Sequence, residues 1–132
     1  MKLFDKKDIG RIGERAAARY LRKQGCRILA RNCHCGKNEL DLVVRDGNYI
    51  AFVEVKTRTF EDPQNTELRP SLAVNAGKRQ RTIQAAKQYL CEHPTKLCPR
   101  LDVIEVYLDR KRYKPFKIHH IPAAFSANGS VR

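Results

Sequence analysis

A chain of 132 residues with 42% hydrophobic side chains has room for one domain around a single core. Lys and Arg number 27 against 14 Asp and Glu, a formal net charge of +13; the excess points to a polyanionic partner, nucleic acid ahead of an anionic membrane surface, with a merely solubilising charge as the plainer reading. No apolar run is long enough to span a bilayer, and MKLFDKKDIG lacks the apolar stretch of a secretory signal, so a soluble cytoplasmic protein is expected.

Residues 8–24, DIGRIGERAAARYLRKQ, read as an amphipathic helix. Ile9, Ile12, Ala16, Ala17, Tyr20 and Leu21 recur at the spacing of one apolar stripe. Asp8 is expected to cap its start and Gly25 to end it. Glu14 lies at an edge of the stripe, near the boundary of the core. CRILARN then reads as a short first strand.

A hairpin follows. ELDLVV and YIAFVEVK are rich in β-branched and aromatic residues, and RDGN between them holds the Asp-Gly favoured in tight turns. A two-residue loop pairing Arg45 with Asn48 sets Glu39 opposite Glu54 and Asp41 opposite Phe52. Glu39, Asp41, Glu54 and Lys56 then share one face. Leu40, Leu42, Val44, Ala51, Val53 and Val55 share the other.

TFEDPQNTELRP, residues 59–70, reads as an exposed loop. A second helix is expected from about Asn75, its cap, to Cys91 or Glu92, with Ile83, Ala86 and Leu90 on its apolar side. Lys78, Arg79 and Arg81 crowd its first turns, where they oppose the helix dipole. A bound anion would relieve that; a solvated helix face is the equal alternative. RLDVIEVYL reads as a strand, DRKR as a turn, and YKPFKIHHI as a last strand at the sheet edge, where Pro115 is acceptable. Two helices interleaved with about five strands make a mixed α/β domain over residues 1–125, and residues 126–132 read as a frayed tail.

The five cysteines form no even framework and suit reduced thiols. Cys33, Cys35, Cys91, His93 and Cys98 would make a zinc site only if two distant segments converged. Their spacing is loose for structural zinc, so ordinary free cysteines are the favoured reading.

The charged face is the informative feature. Like charges set opposite each other destabilise a hairpin without a counter-ion, and one lysine does not offset three carboxylates. A divalent metal would. Mg²⁺ takes oxygen ligands, typically one or two carboxylates with waters and phosphate oxygens; Asp41 and Glu54 offer the carboxylates and the Val55 carbonyl a further oxygen. Lys56 beside them suits orienting or deprotonating a nucleophilic water, or stabilising charge on a phosphate. Acidic ligands, a lysine and a basic surround fit phosphodiester hydrolysis.

Asp41 followed by Glu54-x-Lys56, with a glutamate on an upstream helix, resembles the PD-(D/E)XK nuclease superfamily. GRIGERAAARYLRKQGCRILARN, ELDLVV, FVEVKTR, AVNAGKRQRTIQAAKQYL and RLDVIEV, in that order over about residues 8–108, resemble the YraN family of small endonuclease-like bacterial proteins, which is similar to archaeal Holliday junction resolvases. The resemblance implies a restriction-endonuclease-like three-layer fold, a central mixed β-sheet flanked by helices. It implies Asp41 and Glu54 as metal ligands, Lys56 as the catalytic lysine and Glu14 as the helical acid completing the site. Glu39 matches the family's Gly-Glu-x-Asp segment, Lys78 its helix lysine near phosphate, and Arg58 a phosphate contact. The chain departs from the family at Asn38, where glycine is usual; its glycine is Gly36.

The expectation is a Mg²⁺-dependent DNA endonuclease, with Mn²⁺ as a substitute, acting on branched or damaged DNA. A homodimer would suit symmetric cutting of two strands. The alternatives are a nucleic-acid-binding module with little or no catalysis, and a scaffold that uses its basic face for a protein partner.

Overall fold

The computed structural model describes residues 4–61 and 76–127. The expected Asn75 cap, most of the loop over 59–70 and the end of the tail lie outside the described residues.

Helix α1 spans Lys6–Lys23. Its N-cap is Asp5, three residues earlier than expected: the Asp5 carboxylate accepts from the Asp8 N–H at 2.9 Å, and the Asp8 carboxylate accepts from the Asp5 N–H at 3.3 Å. This reciprocal box satisfies two donors that a helix start leaves without partners. Asp8 therefore sits inside the first turn and closes the box. At the other end Gly25, at φ +89°, turns the chain out of the helix.

Strands β1 (Arg27–Cys35), β2 (Asn38–Asp46) and β3 (Tyr49–Phe60) form an antiparallel meander. β3 runs into the segment expected as loop, carrying Thr59 and Phe60 in register with Leu108 and Asp109. Helix α2 (Ala76–Glu92) crosses to β4 (Cys98–Asp109), which pairs parallel with β3, and β5 (Pro115–Phe125) closes the far edge antiparallel to β4. Strand order in the sheet is β1-β2-β3-β4-β5.

The hairpin register differs from the expected one. Asp46, not Arg45, is the last paired residue, and its partner is Tyr49. The loop is Gly47–Asn48, with glycine at its first position at φ +59°, a conformation it adopts without strain. The loop keeps two residues, so side-chain parity survives while each pairing moves. Phe52 faces Val43 rather than Asp41.

The two helices lie on opposite faces of the sheet. Ala17, Ala18 and Leu21 of α1 pack with Leu42, Val44, Ala51, Val53, Ile104, Val106 and Leu108. Ile83, Ala85, Ala86 and Tyr89 of α2 pack with Val43, Ile50, Phe52 and Val103. The result is a three-layer α/β arrangement with a mixed five-stranded sheet, consistent with the restriction-endonuclease-like fold. Leu40 is an exception to the expected faces, because it joins the α2-side cluster with Val43 and Phe52. Alternation breaks between Leu42 and Leu40, across from Asn32, whose φ is +47°.

Gly13 lets α1 sit close on the sheet: a Cβ there would collide with the Thr57 side chain on β3. A polar lock holds the α1 face to β5. The fully buried Asp102 carboxylate accepts from Arg100 at 2.8 and 2.9 Å and from the Ala123 N–H at 2.9 Å, and meets His120 Nε2 at 2.8 Å. His120 Nδ1 in turn lies 3.1 Å from the Tyr20 hydroxyl. Among the described residues no helix is long and apolar enough to cross a membrane.

Candidate active site

The β2–β3 ladder ends at Leu42 and Val53. One residue beyond, Asp41 substitutes its side chain for the next rung: Oδ2 accepts from the Val55 N–H at 2.9 Å. That bond pins the carboxylate against β3 beside Glu54. Glu54 is 5% exposed, and its Oε1 lies 2.9 Å from Lys78 Nζ at the start of α2.

Burial lifts the Glu54 carboxyl to about 7, the Asp41 charge adds to the lift, and Lys78 opposes it. Asp41 also rises from its ordinary value, again by burial first, with Glu39 adding and the Val55 N–H and Lys78 opposing. The two carboxyls interact closely and titrate as a pair. Glu14, half-buried on α1, is raised by burial and then by the charges of Asp41 and Glu39, against the Asn32 amide. Lys78 is raised as well, which in its case favours the charged form: burial disfavours its ammonium, yet the bond and charge of Glu54 outweigh this.

Four acids from three elements thus share one field. Asp41 and Glu54 are its centre, Glu14 approaches from α1, and Glu39 is exposed at its rim, paired across β1 with His34. Lys56 is exposed on β3 and makes no ion pair among the described residues. Lys78, not Lys56, is the lysine bound to Glu54. Its placement needed the α2 crossover, which brings a residue from the far side of the loop to the end of the hairpin.

Two clefts open near these acids, one lined by Asp41 and Glu39 and the other by Glu14. One of about 280 Å³ is lined by Lys37, Asn38, Glu39, Asp41, Lys78, Arg81 and Thr82. The other, about 240 Å³, is lined by Arg11, Glu14, Arg15, Arg31, Asn32 and Leu42. Both combine acids with cationic rims. Asn38 itself lines the first cleft, and its backbone pairs with Cys35. A larger groove of about 830 Å³ lies between the C-terminal half of α2 and the end of β5. It is mainly apolar and holds no carboxylate, so it is not the chemical centre.

Arg79 and Arg81 lie in the first turns of α2, Arg79 half-buried and Arg81 exposed in the wall of the first cleft. Arg58 reaches a different group: its Nε is 3.5 Å from Oε2 of Glu105, which is fully buried. The parallel β3–β4 register sets Glu105 beside Lys56, and the Tyr107 hydroxyl donates to it at 3.0 Å. Glu105 and Asn32 were not singled out from sequence. Glu105 had a signal, a carboxylate in the apolar run RLDVIEVYL; Asn32 had none.

No group of three or more His, Cys, Asp or Glu converges tightly among the described residues, and the zinc set of Cys33, Cys35, Cys91, His93 and Cys98 does not assemble. The donor set that does exist is two carboxylates, Asp41 and Glu54, both raised first by burial, with the Asp41 charge adding to the rise of Glu54. Two oxygens from protein with the remainder from water and phosphate is the habit of Mg²⁺. A hard dication fits this pair; a zinc ion seeking four protein ligands does not.

The profile of a family described as uncharacterised protein family UPF0102 matches residues 13–106. A UPF0102 protein of Caldanaerobacter subterraneus subsp. tengcongensis is 43% identical over 126 residues, covering 95% of this chain and 100% of its own length. One from Pelotomaculum thermopropionicum is 45% identical over 122 residues, covering 91% and 97%. One from Syntrophotalea carbinolica is 40% identical over 127 residues, covering 96% and 98%.

Proposed function

The chain belongs to the uncharacterised protein family UPF0102, and on that footing we propose that it is a metal-dependent DNA endonuclease of the PD-(D/E)XK type. The observation that carries the reading is the buried Asp41–Glu54 pair, held with both carboxyls raised at the end of a hairpin in a protein of net charge +13. A buried like-charged pair costs stability. A dication and a phosphate completing it beside the cationic clefts would offset that cost.

Asp41 and Glu54 would hold Mg²⁺, or Mn²⁺ in its place, with the Val55 carbonyl as a further donor. The ion would supply charge to neutralise the scissile phosphate and acidify a water. Lys56, exposed two residues along β3 from Glu54, would orient the attacking water and face the charge that grows on phosphate. Glu14, raised by burial and by the neighbouring acids, would hold a proton near the pair, and Glu39 lies exposed at its rim. Lys78 neutralises Glu54 in the free protein and, in the wall of the cleft, would also contact a phosphate that enters it. Arg79 and Arg81 attract the DNA backbone. Branched or damaged DNA is the substrate class proposed, with a homodimer as the form that cuts two strands.

A specific observation favours the second reading, a binding module without turnover: the Lys78–Glu54 ion pair fills the place of a ligand bond. A DNA-cleavage screen separates the two. Endonuclease activity predicts nicking that requires Mg²⁺ or Mn²⁺ and is lost in Lys56→Ala. A pure binding module predicts strongly salt-dependent binding and no cleavage with either metal. Affinity for DNA that survives neutralisation of both Lys78 and Arg79 would favour the protein scaffold instead.

A further inference from the structure

Cys33 and Cys35 sit two residues apart at the C-terminal end of β1, and their side chains point to the same cluster. Their sulfurs are 3.6 Å apart, and the Cys35 thiol lies 3.9 Å from the Cys33 carbonyl oxygen. The two differ in access: Cys35 is 3% exposed, whereas Cys33 is half-buried at the sheet edge. Burial, then Cys33, then the Glu92 charge push the Cys35 thiol up to about 11. Cys33 is therefore the thiol that reaches solvent first, with Cys35 in contact behind it.

We propose that Cys33 and Cys35 are a redox pair that closes reversibly to a disulfide by exchange with a small-molecule disulfide. The Cys33 thiolate attacks one sulfur of that disulfide, and the other sulfur leaves as a thiolate. The Cys35 thiol gives its proton to the departing thiolate, and its sulfur attacks Cys33, expelling the second thiolate. Two protein thiols are oxidised and one external disulfide is reduced to two thiols. Residues two apart on a strand have Cα atoms about 6.7 Å apart, at the upper end of the range a disulfide spans. Closure therefore puckers the strand, and strained bonds of this kind are easily reduced. The pucker falls on the partners of this segment, Asn38, Glu39 and Leu40; Asn38 and Glu39 line the acidic cleft, and Leu40 lies in the core behind it.

Cleavage after Arg31 and Lys37 isolates residues 32–37, NCHCGK, which contain Cys33 and Cys35 and no other cysteine. The folded full chain is incubated with oxidised glutathione, alkylated and digested. The expected peptide is two hydrogens lighter than the reduced form and carries no alkyl group, and dithiothreitol before alkylation restores double alkylation. In Cys35→Ser the second step is lost and glutathione stays on Cys33. Double alkylation after oxidant, or a glutathione adduct on wild-type Cys33 with no closure, overturns the proposal. Hydrogen exchange over residues 33–40 is expected to quicken in the oxidised protein, and unchanged exchange overturns the link to the cleft.

Discussion

Replacing Glu54 with glutamine separates what the acidic pair does for stability from what it does for chemistry. Glu54 rises from 4.5 to about 7 on folding even with Lys78 bound to it. At about 1.36 kcal/mol for each tenfold change in proton affinity, the ionised side chain costs the fold roughly 3 kcal/mol relative to the protonated one. A carboxyl raised on folding contributes stability that is fully present below its unfolded value and lost as pH rises through its folded one. Wild-type stability is therefore expected to fall between about pH 4.5 and about pH 8. Glutamine keeps the shape, carries no charge, and leaves Lys78 with 44% of its side chain in water. Denaturant unfolding should show Glu54→Gln close to wild type near about pH 4.5 and about 2–3 kcal/mol more stable near about pH 8.5. Saturating Mg²⁺ should raise the wild-type midpoint by mass action and leave Glu54→Gln unmoved. A variant less stable than wild type at the higher pH, or a difference that does not change with pH, refutes the reasoning.

Gly13→Ala should destabilise by about 1–3 kcal/mol, the ordinary cost of overpacking, because the new methyl meets Thr57. Thr57→Ala in the same chain should restore part of the loss in thermal unfolding. Asp102→Asn should cost about 3 kcal/mol, the lower end for a broken buried pair, since His120 then faces a neutral group and Arg100 keeps only the partly exposed Asp46, at 2.9 Å. Burial opposes ionised Asp102, but His120, Arg100 and the Ala123 N–H outweigh it and hold its carboxyl below the usual value. Its contribution is present above about pH 4 and lost as pH falls through the lowered value, so the Asp102→Asn deficit should shrink in acid unfolding curves.

Much of the site was legible because β-structure has a period of two. Any two-residue loop places Asp41, Glu54 and Lys56 on one side, and moving the turn by one residue shifts each pairing by two, which leaves that parity untouched. What parity does not carry is depth. Nothing in NELDLVV shows that the ladder stops at Leu42, yet that end is what turns Asp41 inward to the Val55 N–H. Nor does it carry long-range pairing: Lys78 reaches Glu54 through the α2 crossover, and Glu105 reaches Lys56 through the parallel β3–β4 register. The helix stripe around Ile9, Ile12, Ala17 and Leu21 was clear from periodicity, while its cap was displaced because Asp5 and Asp8 cap each other and either aspartate fits a cap by composition. Gly13 reads as a weak helix residue until Thr57 is seen against it. Leu40 changed faces because Asn32, on the neighbouring strand, takes a backbone conformation that its sequence context does not announce.

The central claim is that Asp41, Glu54 and Lys56 cut DNA with a bound dication. The direct measurement is nicking of single-stranded, duplex, flap and four-way-junction DNA in Mg²⁺ and in Mn²⁺, with wild type beside Lys56→Ala and Asp41→Asn, each confirmed folded by its unfolding transition. The predicted result is cleavage of at least one substrate that stops on metal chelation and falls by roughly a hundredfold or more in both variants, as expected when a group acting in the transition state is removed. Equal cleavage by wild type and variants, or wild-type binding with no cleavage of any substrate, would contradict it.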